Sequence, residues 1–130
     1  MSIGIKGFYG ENFVDETAVT SSVAATRAVY VGGTQGAVRA QLIAGVGGCT
    51  IASGKKFTLT STECNTSDGS FASTGVTVVK THTAATTYAP GDVIAEIAFA
   101  SDGKKYGKVT ISCDDTTATG KIKVVADIAG

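Results

Sequence analysis

Apolar and polar residues alternate along the chain from residue 88 to residue 128. The alternation is clearest from Val93 to Phe99, from Val109 to Cys113 and from Ile122 to Ile128. Because successive side chains of a β-strand point to opposite faces of a sheet, this period of two predicts three strands, each with one buried face. We expect Ile111 and Ile122 to be buried, whether the last two strands form a hairpin or lie in opposite sheets.

The same alternation occurs earlier in the chain, and turn clusters rich in Gly, Asn, Asp and Ser separate the segments that carry it. About eight short strands at spacings of roughly 8 to 15 residues are typical of a β-sandwich or barrel. A chain of 130 residues has the length of one domain. We therefore predict an all-β, single-domain β-sandwich. Its expected core residues share the apolar positions of their strands: Val38, Leu42, Phe57, Leu59, Val93, Ile97, Phe99, Val109, Ile111, Ile122 and Val124.

Residues 1–22 show no clear period and are predicted to form an N-terminal arm before a sandwich of residues 23–130. A weak helical pattern from Asp15 to Ala25 is the only sign of a helix. Phe8, Tyr9 and Phe13 lie close together in the arm, and aromatic side chains need a surface on which to bury. That surface is either the chain's own sandwich or a neighbour, and we expect the three residues to anchor a partner.

The overall charge balance argues against two classes of partner. Lys and Arg total 11, as do Asp and Glu, so the net charge is zero, whereas a nucleic-acid-binding protein normally has an excess of basic residues. No apolar run approaches the roughly 18 residues of a membrane span. The first residues lack the basic and apolar blocks of a signal peptide, so we expect synthesis in a cytoplasm. The three widely spaced cysteines are expected to be free thiols.

Two motifs resemble catalytic or nucleotide-binding signatures but do not satisfy them. The segment from Gly48 to Lys56 has five residues between its glycines and a second lysine after the first, unlike a phosphate-binding loop, and is predicted to be a turn between strands. His82 is the only histidine, and no local motif supplies a nucleophile or an orienting group. We expect it to be an ordinary solvated histidine, and we predict no catalytic residue and no cofactor.

Candidate metal ligands are also poorly spaced. Cys49, Cys64 and Cys113 form no close pair of the kind that zinc sites use, and they lie far from His82 in sequence. Asp114 and Asp115, with Asp102, would suit calcium, but both positions lie at predicted turns, where aspartate is common for backbone hydrogen bonding. No metal site is predicted.

A locally basic stretch precedes and enters one of the late strands. Lys104, Lys105 and Lys108 surround Tyr106, and Lys121 and Lys123 make the last strand locally basic as well. The simplest interpretation of such a stretch is a solvated face of the sheet. It would also suit contact with an acidic protein surface, where charge sets orientation and association rate more than affinity. Nucleic acid ranks last, because Tyr106 is the only aromatic residue in the stretch.

A family resemblance rests on strand and turn segments, which are residues 57–61, 67–71, 94–98, 103–106, 109–111, 117–122 and 125–126. Through these segments, over roughly Lys55 to Ala129, the chain resembles the capsid cement (decoration) proteins of tailed bacteriophages. The resemblance implies a β-sandwich of jelly-roll type that binds the outside of a capsid and stabilises the shell by bridging major capsid protein subunits. It also implies a homo-oligomer, with a dimer favoured, located on the exterior of the virion, and no enzymatic activity.

The expected docking residues are the aromatics of the arm and the basic stretch, namely Phe8, Tyr9, Phe13, Lys104, Lys105, Tyr106 and Lys108. The alternative function is a phage tail or fibre module, or a cell-surface carbohydrate-binding β-module. Such modules usually present exposed Trp or Tyr to sugars, and this chain has no Trp.

Overall fold

A computed structural model describes residues 12–20, 28–30, 38–66, 68–99 and 104–128. Within these ranges the regular structure consists of nine β-strands, without a helix. The strands are β1 (Asn12–Ala18), β2 (Val29–Tyr30), β3 (Val38–Ile51), β4 (Lys56–Cys64), β5 (Ala72–Thr81), β6 (Thr86–Tyr88), β7 (Val93–Ala98), β8 (Tyr106–Cys113) and β9 (Thr119–Ile128).

The strands form two antiparallel sheets. Sheet A has the order β1-β9-β3-β6, with β7 also paired to β3, and sheet B has the order β2-β8-β4-β5. β3 is 14 residues long, so its first half pairs with β7 and its last residues pair with β6. The predicted all-β sandwich is confirmed, with nine described strands against about eight expected. The finer expectation of a jelly roll stays a prediction.

The core lies between the two sheets and follows the predicted alternation. Phe57 and Leu59 of β4 are fully buried, and Leu59 lies in register with Ile111 of β8. Ile111 belongs to sheet B and Ile122 to sheet A, and both are buried in one apolar cluster. Of the predicted core residues, those confirmed as buried are Leu42, Phe57, Leu59, Ile97, Phe99, Val109, Ile111, Ile122 and Val124. The side chain of Val38 lies outside the part that the structure describes.

Val93 was predicted to be a core residue, and this is wrong because β7 contains a bulge. Leu42 lies opposite Ala95, whereas the next residue of β3, Ile43, lies opposite Val93. Ile94 is therefore an extra residue on β7, and a β-bulge of this kind changes the face on which the flanking side chains lie. Ile94 is buried, whereas Val93 is 51% exposed.

The N-terminal region is also more regular than expected. Residues 12–18 form β1, which pairs with β9, so the helix predicted from Asp15 is wrong as far as Ala18. The pairing shifts register twice, between Asn12 and Val14 and again between Val14 and Thr17. These shifts remove the period of two, which is why the sequence shows no strand pattern here. Residues 1–11 and 21–27 lie outside the described ranges.

A second irregularity lies inside β3. Ala44 is opposite Ile122 and Cys49 is opposite Gly120, so four residues of β3 stand against one residue of β9. The resulting bulge, residues 45–48, includes Gly47 and Gly48 at φ of 80° and 74°. These angles are in the left-handed region, which glycine adopts without steric cost. Within this bulge Val46 is 75% exposed.

Candidate interaction surface

The predicted basic stretch lies at one end of the outer face of sheet B. Lys104 and Lys105 are exposed immediately before β8. Tyr106 and Lys108 follow on β8, where they alternate with the buried residues Gly107 and Val109 and therefore point away from the core. Tyr106 and Lys108 therefore lie on the outer face, and Lys104 and Lys105 are exposed beside them in the chain. We call these four predicted docking residues the basic patch.

The rest of this face is built from hydroxyl side chains. Phe57, Leu59 and Ser61 of β4 point inward, so the alternate residues Thr58, Thr60 and Thr62 point outward. On β8, Thr110 stands in register with Thr60 and Ser112 with Thr58, and these continue the row of hydroxyl groups onto the neighbouring strand. The face is uncharged along its middle, and Lys108, in register with Thr62, lies towards the end that carries the basic patch.

An aromatic residue that sequence reasoning missed belongs to the basic patch. The ammonium Nζ of Lys108 lies 4.4 Å from the centre of the Phe71 ring, which is a cation–π contact. Phe71 lies just before β5 and is half-buried. Its position depends on the fold, since 37 residues separate it from Lys108 in sequence. The only local signal was an aromatic residue after the turn cluster of residues 65–70.

Cys64 lies beside this patch, in register with Tyr106. Its pKa is lowered, chiefly because the backbone N–H of Thr66 can donate to the sulfur, with further contributions from the Thr66 hydroxyl and from the charge of Lys104. The Sγ to Thr66 Oγ1 distance is 3.7 Å. The thiol is therefore the most acidic of the three cysteines and lies next to the patch rather than in the core.

The arm aromatics are placed differently from the prediction. Phe13 is fully buried, and its ring centre lies 5.3 Å from that of Phe99 within the chain's own core. This corrects the expectation that Phe13 anchors a partner, because its side chain has no surface left to offer. It completes the sandwich of its own chain, which was the competing interpretation. Phe8 and Tyr9 lie outside the described residues.

His82 is buried, which corrects the expectation of a solvated side chain. Its Nδ1 lies 3.2 Å from the Lys55 carbonyl oxygen, and its Nε2 lies 2.6 Å from the Tyr88 hydroxyl. A carbonyl only accepts, so in the neutral ring Nδ1 carries the proton and Nε2 accepts from the Tyr88 O–H. Both ring nitrogens therefore have partners that hold the turn of residues 52–55 to β6.

Asp115 is also buried and holds the same turn from the other side. Its Oδ2 accepts from the backbone N–H of Ala52 at 2.8 Å, and its Oδ1 accepts from the N–H and hydroxyl of Thr117. These hydrogen bonds, first that from Ala52, lower the pKa of the Asp115 carboxyl. Its neighbour Asp114 accepts from the backbone N–H of Lys56 at 2.8 Å. The pair of aspartates serves turn geometry in the way the sequence suggested.

The three cysteines are free thiols in the structure, as predicted. Burial raises the pKa of the Cys49 thiol to about 11, with a smaller contribution from nearby Cys113. Burial is also the main cause of the raised pKa of Cys113. In the described part of the chain, His, Cys, Asp and Glu nowhere group in threes that could hold a metal ion. Asp102, the third aspartate considered for calcium, lies outside that part.

The segment from Gly48 to Lys56 ends β3, turns through residues 52–55 and starts β4, as predicted for a turn between strands. The described ranges contain no helix of the length and apolar character needed to cross a bilayer.

Comparison with known proteins gives no relative from which a function could be taken. No protein-family model, curated protein or solved structure matches the chain.

Proposed function

We propose that this protein is a structural component of a tailed-phage virion. In this proposal it binds the outer surface of the capsid and stabilises the shell by bridging neighbouring subunits of the major capsid protein. It needs no cofactor and catalyses no reaction. It is made in the cytoplasm of a bacterial host and acts on the exterior of the virion.

The observation that carries the proposal is the basic patch on the outer face of sheet B. Lys104, Lys105 and Lys108 lie together at the end of a broad, hydroxyl-rich sheet face, and two aromatic residues, Tyr106 and Phe71, lie among them. Such a face presents cations and limited apolar area at once. It suits a protein surface rich in carboxylates, where charge would orient docking and the aromatics would add contact area.

The way in which buried polar groups are used also supports a mechanical role. His82 and Asp115 are both buried, and their hydrogen bonds hold the turn of residues 52–55 to the two sheets. Buried hydrogen-bond networks of this kind make a fold rigid. A rigid body that spans two subunits would resist their separation when packaged DNA strains the shell.

The strand order supports the finer expectation of a jelly roll. β6 and β7 pair with successive parts of the same strand, β3, so they serve together as one edge strand of sheet A. With that pair counted as one, eight strands are shared equally between the sheets, and the last strand lies between the first and the third. Jelly rolls have eight strands in two sheets and recur in viral capsid and lectin domains.

Self-association on the shell belongs to the same proposal. A capsid repeats one docking site many times, so copies that touch one another gain from effective concentration even when each site is weak. We expect a homo-oligomer, with a dimer favoured. Nucleic acid and membrane are not expected partners.

The proposal is tested by the composition of purified virions. Quantitative mass spectrometry should find this chain in a copy number comparable to that of the major capsid protein. When the gene for this chain is deleted from the phage, the particles should lack the chain, and their heads should break at a lower temperature. A few copies per particle would contradict the cement role and favour the tail or fibre alternative.

A further inference from the structure

The outer face of sheet A has an apolar centre. Val93 lies in register with Ile43 on the side away from the core and is 51% exposed. Val125, two residues along β9 from Lys123, is half-buried beside them. Val46, in the bulge of residues 45–48, is 75% exposed, and its backbone N–H donates to Glu16, whose carboxylate contacts Lys123 of this face. Two of the three large apolar side chains that are exposed in the described ranges therefore belong to this sheet.

Charged side chains of both signs surround this centre. Lys123 stands in register with Ile43 and lies 3.8 Å from the Glu16 carboxylate. On the other side of β3, Glu96 accepts from the Gln41 amide at 2.8 Å, and Arg39 is exposed two residues away. An apolar centre inside a polar rim is the usual anatomy of a protein–protein interface.

The two irregular segments that display the exposed valines are held firmly. The backbone N–H of Ala44 donates to the Asp92 carbonyl and that of Gly91 donates to the Ala44 carbonyl, each at 2.9 Å. The backbone N–H of Val46 donates to Glu16 Oε1, also at 2.9 Å. A surface that is already ordered loses less conformational entropy when it binds, so more of its contact energy appears as affinity.

The two outer faces differ in the partner that their charges fit. On sheet B, the described charged residues that point outward from β4 and β8 are lysines, Lys56 and Lys108, with Lys104 and Lys105 beside them. Two copies brought together through that face would repel each other. Sheet A carries the cations Lys121, Lys123 and Arg39 together with the carboxylates Glu16 and Glu96, so a two-fold axis can place its cations opposite carboxylates of an identical face.

We propose that the outer face of sheet A binds a second copy of this chain, with Val93, Ile43 and Val46 at the centre of the contact. The inference deepens the proposed function and rests on it for the setting. Copies joined through sheet A leave sheet B uncovered, and because the outer faces of the two sheets point in opposite directions, one basic patch of the dimer faces the shell. Self-association itself is a property of the free protein and is measured without capsids.

The test is sedimentation equilibrium of the purified full-length chain in reducing buffer, with two matched variants. Val93→Asp places a charge at the centre of the proposed contact. Val79→Asp is its control, because Val79 is 52% exposed on β5 of sheet B. We expect a wild-type dimer with a Kd weakened at least about tenfold by Val93→Asp, which corresponds to 1.4 kcal/mol, and unchanged by Val79→Asp. Circular dichroism melts confirm that both variants are folded.

Two outcomes would overturn the inference. One is a wild-type chain that stays monomeric at about 100 µM, where a micromolar Kd would give mostly dimer. The other is a dimer that Val79→Asp dissociates and Val93→Asp does not. Binding to capsids is scored separately. A dimer that does not bind capsids refutes the proposed function and leaves this inference standing, whereas a monomer that binds capsids refutes only this inference.

Discussion

At the scale of single residues, two buried polar side chains hold one turn from opposite sides. Asp115 accepts from the backbone of Ala52 at the start of the turn of residues 52–55, and His82 is bonded to the carbonyl of Lys55 at its end. Sequence predicted backbone hydrogen bonding by Asp115 in its own turn but not the bond to Ala52, and it predicted no structural role for His82. Asp115 follows another aspartate in an ordinary turn signal, and the partners of His82 come from other strands, so only the fold brings them together.

We expect stability to depend on pH through Asp115. Hydrogen bonds to the carboxylate lower its pKa from the ordinary value of 3.8 in the folded state. Because the folded-state pKa lies below the ordinary pKa of 3.8, the ionised Asp115 carboxyl stabilises the fold fully at pH values above 3.8. This stabilisation is lost as the pH falls from 3.8 towards the folded-state pKa. Urea unfolding between pH 7 and pH 2 should show this loss. Asp115→Asn should be less stable than wild type at pH 7, and its free energy of unfolding should fall less than that of wild type on acidification.

The control is Asp68→Asn, which changes an exposed carboxyl in the turn of residues 65–70. It should follow the wild-type curve at every pH. Equal curves for wild type and Asp115→Asn would show that the hydrogen bonds of Asp115 contribute nothing to stability.

The hydrogen bond between Tyr88 and His82 should also be measurable. Tyr88→Phe removes the O–H donor and leaves the buried Nε2 of His82 without it, which should lower the free energy of unfolding by about 1–2 kcal/mol. Thr87→Val, on the same strand, removes only an exposed hydroxyl that lies 3.4 Å from Thr50 Oγ1 and should stay within about 0.5 kcal/mol of wild type. Urea denaturation at pH 7 measures both, and equal effects would contradict this account of His82.

At the scale of strands, regular elements were predictable and irregular ones were not. β4, β8 and residues 121–126 of β9 alternate buried and outward residues, so their core residues could be read from sequence. β1 and β7 contain register shifts, and β3 contains the bulge of residues 45–48. A bulge adds a residue to one strand of a pair, so its position depends on the partner strand as much as on the local sequence. Ile94 shows this, because no glycine or proline marks it as an extra residue.

The bulge in β7 reverses which of two neighbouring residues should matter for stability. A regular strand would bury Val93, whereas the bulge buries Ile94. Ile94→Ala should reduce the free energy of unfolding by roughly 2–4 kcal/mol, because it empties a buried site. Val93→Ala should change it by no more than about 0.5 kcal/mol, because Val93 lies half-exposed on the outer face. Guanidinium denaturation of the two variants decides between the patterns. A costly Val93→Ala beside a neutral Ile94→Ala would mean that β7 is regular.

At the scale of the whole molecule, the fold presents two broad faces with different charge. The prediction of an all-β sandwich needed only periodicity and turn spacing, and the basic patch needed only the local run of lysines. What sequence could not supply was the distribution of residues between the faces. Phe71 joins the basic patch from a distant segment, and Phe13 turns inward to the core instead of outward to a partner. The contrast between a basic sheet B and a mixed sheet A appears only once the strand order is known.

The central claim is that the basic patch docks on the capsid, and one pair of variants tests it most directly. Lys105→Glu reverses an exposed charge inside the patch, whereas Lys80→Glu reverses an exposed charge on β5 of the same sheet, outside the patch. Binding is measured by co-sedimentation with expanded capsids that lack this chain, at low and high salt. We predict that Lys105→Glu binds at least about tenfold more weakly than wild type, that Lys80→Glu binds normally, and that the difference shrinks as salt screens the charges. Wild-type affinity for Lys105→Glu would contradict the claim, as would an equal loss for both variants.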